Sequence, residues 1–183
     1  MSEEVVIRNC APTLAGLKTG SMFSAAFATR EELNGTVRAL NRSLGAKGLR
    51  VLPLRYSGGR ALIYVYRPGR LAKDLESDAA KALLRDFGYP CGSPEQRIAA
   101  LMGKLQAGGD FPHEIGLFLG YPTEDVIGFI ERGPRCSKCD GCWKVYGDPE
   151  KAQKEFARYK KCTAAYCEQW RRGAALEQLT VKS

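Results

Sequence analysis

The sequence predicts a helix-rich α+β fold, a single domain over residues 1–183 with a small antiparallel sheet of about three strands in its N-terminal third. Three observations carry this expectation. Between Ser21 and Tyr66 short apolar runs alternate with turn residues, as strands and hairpins do. Beyond Arg70 the apolar residues recur at helical spacing. The chain is 44% hydrophobic and 26% charged, ordinary values for a globular domain long enough to bury a core. No apolar run approaches the ~18 residues of a membrane span, and Met1-Ser2-Glu3-Glu4 opens without the apolar region of a secretory leader. A cytoplasmic protein with no membrane partner is therefore expected.

Each element has a local reason. Ser21–Phe27 is a short apolar strand. Thr29 and Glu32 form a T-x-x-E capping box that opens a helix, and Leu33, Val37, Leu40 and Leu44 line its apolar face. Gly45 and Gly48 close it. Leu49–Tyr56 is a strand interrupted by Pro53, which points to a sheet edge, because proline has no N–H for a ladder. Ser57-Gly58-Gly59 turns the chain into the continuous apolar run Ala61–Tyr66, a buried strand, so the two runs make a hairpin.

After Arg67-Pro68-Gly69 the pattern becomes helical. Leu71 and Leu75 share one turn, and a helix over 79–87 follows an Asp78 cap. Ser93, Pro94 and Gln96 open another, with Ile98, Leu101, Met102 and Leu105 on its inner face. Loose joints are expected at Gly108–Pro112 and at Gly133-Pro134, within a division into an α/β part (about 1–90) and a helical part (about 91–183). The last helix is capped by Asp148, starts at Pro149 and stops at Gly173. Its stripe of Ala152, Phe156, Tyr159, Thr163, Tyr166 and Trp170 is a packing face. Lys151, Lys154, Arg158 and Lys161 fall on the opposite side, a solvated face or a binding face for a partner.

Function is less legible. With 28 Lys and Arg against 20 Asp and Glu the net charge is +8, which favours an acidic partner without naming it. There are seven cysteines, an odd number unsuited to a disulfide framework. Cys136-x2-Cys139-x2-Cys142 has a spacing that lets successive thiolates turn towards one ion. Cys162 and Cys167 lie about 140° apart around a helix, so only one of them can complete a three-plus-one set. Zinc and an iron–sulfur cluster both fit four thiolates. The leading expectation is thus a metal-binding, redox-associated protein working with an acidic, flavodoxin-like partner.

Two rivals stand beside it. Residues 113–131 have the outline of a helix-turn-helix, which makes nucleic acid a partner class, although the second helix opens on the acidic pair Glu124 and Asp125. A small-molecule enzyme would use Cys10, His113 and Glu114 around Arg67, with His113, the single histidine, as base. If Pro12 starts a helix, Cys10 sits at its positive end, where a thiol ionises more readily. There is no Walker A or G-x-G-x-x-G fingerprint for a nucleotide.

Four segments together resemble a known family: 10–19 (CAPTLAGLKT), 62–68 (LIYVYRP), 111–122 (FPHEIGLFLGYP) and 142–147 (CWKVYG). They are similar to the bacterial domain-of-unknown-function family thirty-seven ninety-three, typical of anaerobes. The resemblance implies one intact domain and marks Cys10, Arg67, His113, Glu114, Trp143 and Lys144 as motif positions. It implies no assigned activity, and the complete cysteine trio is a weaker part of the pattern.

Overall fold

A computed structural model describes residues 1–182. The fold is α+β, with eight α-helices and a three-stranded antiparallel sheet among the described residues. The chain divides into two compact units, one of residues 1–70 and 161–183, the other of residues 71–160. The joints expected near 110 and 133 both fall inside the second unit.

The first unit holds the sheet. Helix α1 (Glu3–Leu14) precedes β1 (Gly20–Ala26), α2 (Arg30–Gly45), β2 (Arg50–Ser57) and β3 (Arg60–Tyr66). The strand order is β1-β3-β2, so the fully apolar run is central and the proline strand lies at an edge, as expected. Phe23 opposes Ile63, Val51 opposes Val65, and the register of β2 shifts between Pro53 and Arg55, where the ladder lacks a donor. Thr29 caps α2 by accepting from Glu32 N, while the Glu32 carboxylate takes the Ala28 N–H. Leu33, Val37, Leu40 and Leu44 of α2 join Val6, Ile7, Cys10 and Leu14 of α1 against the sheet in one core, closed by Leu176 and Leu179 from the chain's end.

Helix α1 corrects one expectation. Pro12 does not begin a helix; it lies in the last turn of one that starts at Glu3. Ser2 stands at its N-cap position and Glu3 and Glu4 complement the dipole of its first turn. Cys10 therefore sits well past the positive end, buried in the core.

The second unit is helical. It contains the end of α3 (Pro68–Asp74), then α4 (Asp78–Asp86), α5 (Pro94–Ala107), α6 (Ile115–Phe118), α7 (Thr123–Arg132), a 3-10 turn (Pro134–Cys136) and a two-stranded hairpin, β4 (Cys139–Asp140) and β5 (Lys144–Val145). Ser77, not Asp78, caps α4, its hydroxyl accepting from Ala80 N. Ser93 and Gln96 form the full reciprocal capping box expected for α5. Helix α8 (Pro149–Arg171) begins at Asp148, whose carboxylate accepts from Glu150 N and Lys151 N, and the division between units falls within it, after Lys160. Lys151, Lys154 and Arg158 of this unit and Lys161 of the other are exposed, with Arg158 paired to Glu155. No helix among the described residues is long and apolar enough to cross a membrane.

Candidate functional site in the helical unit

The segment outlined as a helix-turn-helix is built from the inside. Helices α6 and α7 meet at a turn where Gly120 takes φ +74°, a left-handed conformation suited to glycine. Asp125, in the first turn of α7, points inward and is 2% exposed. One carboxylate oxygen accepts from the backbone N–H of Tyr146 (2.7 Å) and of Gly147 (2.8 Å). The other accepts from the Trp143 indole N–H at 2.7 Å. The acidic residue that counted against DNA binding is thus the anchor that ties the β4–β5 hairpin to α7. Gly128, one turn further along α7, faces Tyr146 with no room for a methyl group. The Tyr146 hydroxyl donates to Gly133 O (2.7 Å), fastening the far end of the same helix.

Held in this way, Trp143 becomes a wall. Its ring stacks on Tyr121 (centroids 5.0 Å, 28° between planes) and meets Phe156 edge-on (4.5 Å, 79°). Tyr121 donates its hydroxyl to Cys142 O at 3.1 Å, and burial pushes that hydroxyl up to about 12, so it stays a protonated donor. Opposite lie Phe129 and the edge of the His113 ring, with centroids 4.7 Å apart. Between the walls is a cleft of about 200 Å³, lined also by Ile115, Gly116, Val126, Asp125 and Lys144. Its surface is mainly apolar. The Asp125 oxygens are spent on the hairpin, and the Lys144 ammonium is bonded to Asp140 at 2.6 Å. Among the described residues no protein group bonds either ring nitrogen of His113, so the imidazole is the polar group that the cleft leaves available.

The other candidates separate. Glu114, next to His113, is 1% exposed and accepts the Tyr89 hydroxyl at 2.9 Å, with the Lys104 ammonium 3.6 Å away. Burial and the Glu114 charge drive the Tyr89 hydroxyl well above its usual range, so Tyr89 remains the donor. Cys10 belongs to the first unit, 0% exposed, and burial pushes its thiol up to about 12, the reverse of an activated nucleophile. Arg67 is a clamp in that same unit. Its guanidinium donates to Thr13 O (2.8 Å), Leu14 O (2.7 Å) and Val181 O (2.7 Å), adding a charged donor to carbonyls at the end of α1 and near the chain's end. The convergence of Cys10 and Arg67 with His113 that the enzyme reading required is not part of the cleft, whose lining includes neither.

The cysteines divide as well. Cys136 and Cys142 are exposed and Cys139 half-buried, all in the segment from the 3-10 turn to the hairpin. Cys162 and Cys167 fall in the first unit, where Cys167 packs against the core. Among the described residues no group of three or more His, Cys, Asp or Glu side chains is arranged to hold a metal ion.

The residues of the cleft that sequence reasoning did not assign to a site are Asp125, Tyr121 and Phe129. Asp125 left one signal: a carboxylate in the first turn of a helix whose next residue is apolar and buried.

Fold and site together define a helix-rich α+β protein with a mainly apolar cleft of about 200 Å³ in its helical unit. The chain belongs to the family described as Protein of unknown function (DUF3793), whose model matches residues 6–180 and so spans both units. No protein of curated function and no solved structure matches it. The family expected from the four sequence segments is the family found.

Proposed function

We propose that the protein binds a small aromatic or heteroaromatic molecule in the His113–Trp143 cleft and that His113 exchanges a hydrogen bond, or a proton, with it. One observation carries this reading: His113, Trp143 and Lys144, from two motif segments about thirty residues apart, line a single cleft, and His113 is the member with unengaged polar atoms. Small-molecule sites are typically apolar with a few placed polar groups. At about 200 Å³ the cleft lies below the ~300–1,000 Å³ of drug-sized pockets. Its occupant is accordingly one or two rings, stacked against Trp143 or Phe129.

The test is a shift-mapping NMR titration with phenol and with toluene, two one-ring probes that differ in one hydroxyl. Phenol is expected to move the Gly116 and Phe129 amides and the Trp143 indole N–H, and to bind about tenfold more tightly than toluene, the equivalent of ~1.4 kcal/mol. His113→Ala is expected to abolish that preference. Equal binding of the two probes, or no movement in the cleft, ends the proposal.

The thiols support a second reading, a metal-binding, redox-associated role with zinc or an iron–sulfur cluster and an acidic, flavodoxin-like protein. What favours it is the placement of Cys136, Cys139 and Cys142 in one short, accessible segment beside Lys138 and Lys144. A metal centre there needs the segment to rearrange, since the side chains as they stand do not converge. Iron, zinc and sulfide analysis of protein purified without oxygen decides this: stoichiometric metal supports the role and its absence removes it.

A further inference from the structure

Behind His113, away from the aromatic walls, a second cavity of about 440 Å³ opens in the same unit, and its chemistry differs from that of the cleft. Glu114, 1% exposed, is the buried carboxylate of its lining. One oxygen of the carboxylate, Oε1, holds the Tyr89 hydroxyl and faces the Lys104 ammonium. The other, Oε2, has no donor among the described residues, yet no buried side-chain oxygen lacks a partner. Oε2 therefore holds part of the small surface that Glu114 keeps, and Glu114 is one of the residues that line the cavity. A carboxylate oxygen with surface of its own can accept from a donor that enters the cavity.

The surroundings state what that donor is. Asp110, exposed and bonded to no side chain among the described residues, adds a second carboxylate to the lining, so two negative charges stand against the single ammonium of Lys104. Phe87 and the half-exposed Phe111 supply aromatic surface. Lys104 already illustrates the recognition: its ammonium sits 4.9 Å from the centre of the Tyr89 ring and 5.9 Å from that of Phe87, beside the carboxylate. An ammonium gains from both kinds of neighbour, the carboxylate by charge-assisted hydrogen bonding and the ring faces by cation–π attraction.

We propose that this cavity is a binding site for a primary ammonium group, which donates to Glu114 Oε2 with Asp110 as the outer countercharge. The site is distinct from the aromatic cleft and does not rest on it: the two share only His113.

The experiment titrates the full chain with n-butylamine and, separately, with n-butanol, following backbone amides by NMR at pH 7.5. The amine is an ammonium at that pH, and the alcohol is its neutral counterpart of similar size. The expected result is saturable movement of the Lys104, Asp110, Phe111 and Glu114 amides by the amine, with binding at least tenfold weaker for the alcohol. Glu114→Gln keeps an acceptor for Tyr89 and removes the charge, and it is expected to weaken the amine at least tenfold. Asp110→Asn, at an exposed position that leaves the fold intact, is expected to weaken it two- to fivefold and serves if the Glu114 variant does not fold. Equal binding of amine and alcohol, indifference to both substitutions, or shifts confined to Tyr121 and Trp143 would overturn the proposal. The phenol and toluene titration is read at different amides, so either proposal can fail alone.

Discussion

Arg67 is the residue whose loss the structure prices most clearly. Its three short bonds, to Thr13, Leu14 and Val181, tie the end of α1 to the last residues of the chain. A hydrogen bond from a charged donor contributes about 1.5–3 kcal/mol, so three amount to about 5–9 kcal/mol gross. Replacing the guanidinium by a thioether also removes the cost of burying a charge, several kcal/mol. Thr13 O and Leu14 O retain backbone partners in Gly16 and Val181, whereas Val181 O loses a short bond. The net loss expected for Arg67→Met is about 3 kcal/mol, a large part of the ~5–15 kcal/mol that holds a domain together. At ~2–4 °C per kcal/mol for a chain of this size, Tm falls by about 6–12 °C. Arg67→Lys keeps the charge but cannot offer a planar fork to three carbonyls, and should lose about 2 kcal/mol. Urea denaturation reads the stability. Hydrogen exchange at the Val181 amide, bonded to Leu14 O, reads the clamp itself. A lysine variant as stable as the parent, or a destabilised methionine variant with unchanged Val181 protection, would refute the clamp.

Further outcomes follow from the same contacts. Asp125→Asn keeps an acceptor for the Tyr146 and Gly147 amides but turns an N–H towards the Trp143 indole N–H, so Trp143 fluorescence should shift to longer wavelength with about 1–2 kcal/mol lost. Gly128→Ala drives a methyl group into the Tyr146 ring and should cost about 1–3 kcal/mol by overpacking, measured by thermal unfolding. With a thiol that ionises only near pH 12, raised chiefly by burial, Cys10 stays protonated in the folded protein where the unfolded chain's thiol ionises. The unfolded state then binds fewer protons above about pH 9, so stability falls from there towards pH 12, by up to ~1.4 kcal/mol per unit. Cys10→Ala should flatten that slope in urea melts, and a thiol reagent at pH 8 should label Cys91, Cys136 and Cys142 well before Cys10.

The sheet and most helices were legible because their signals are local. A threonine three residues before a glutamate, a proline inside a strand, and a Ser-Pro-x-Gln start each act on their own backbone, and each marks the start or edge found there, although Glu32 bonds the Ala28 N–H rather than that of Thr29. Helix α1 was obscured by Pro12, whose local preference for a helix start also tolerates a last turn when tertiary packing holds it. The spacing of Val6, Cys10 and Leu14 is itself helical, a signal that reading Pro12 as a helix start passes over.

The chain's capping signals and apolar runs thus determined the class of fold and the three strands, and four of its segments carried the family. Tertiary structure alone decided which side chains meet. The roles of Asp125, Glu114 and Arg67 depend on partners 18 to 114 positions away, and spacing along a chain says nothing about such pairs. The same carboxylate that suggests repulsion of DNA on an exposed helix becomes a hairpin anchor once it is buried against three N–H donors. Burial decides between those outcomes, because removing water makes an unbonded charge expensive and a bonded one strong.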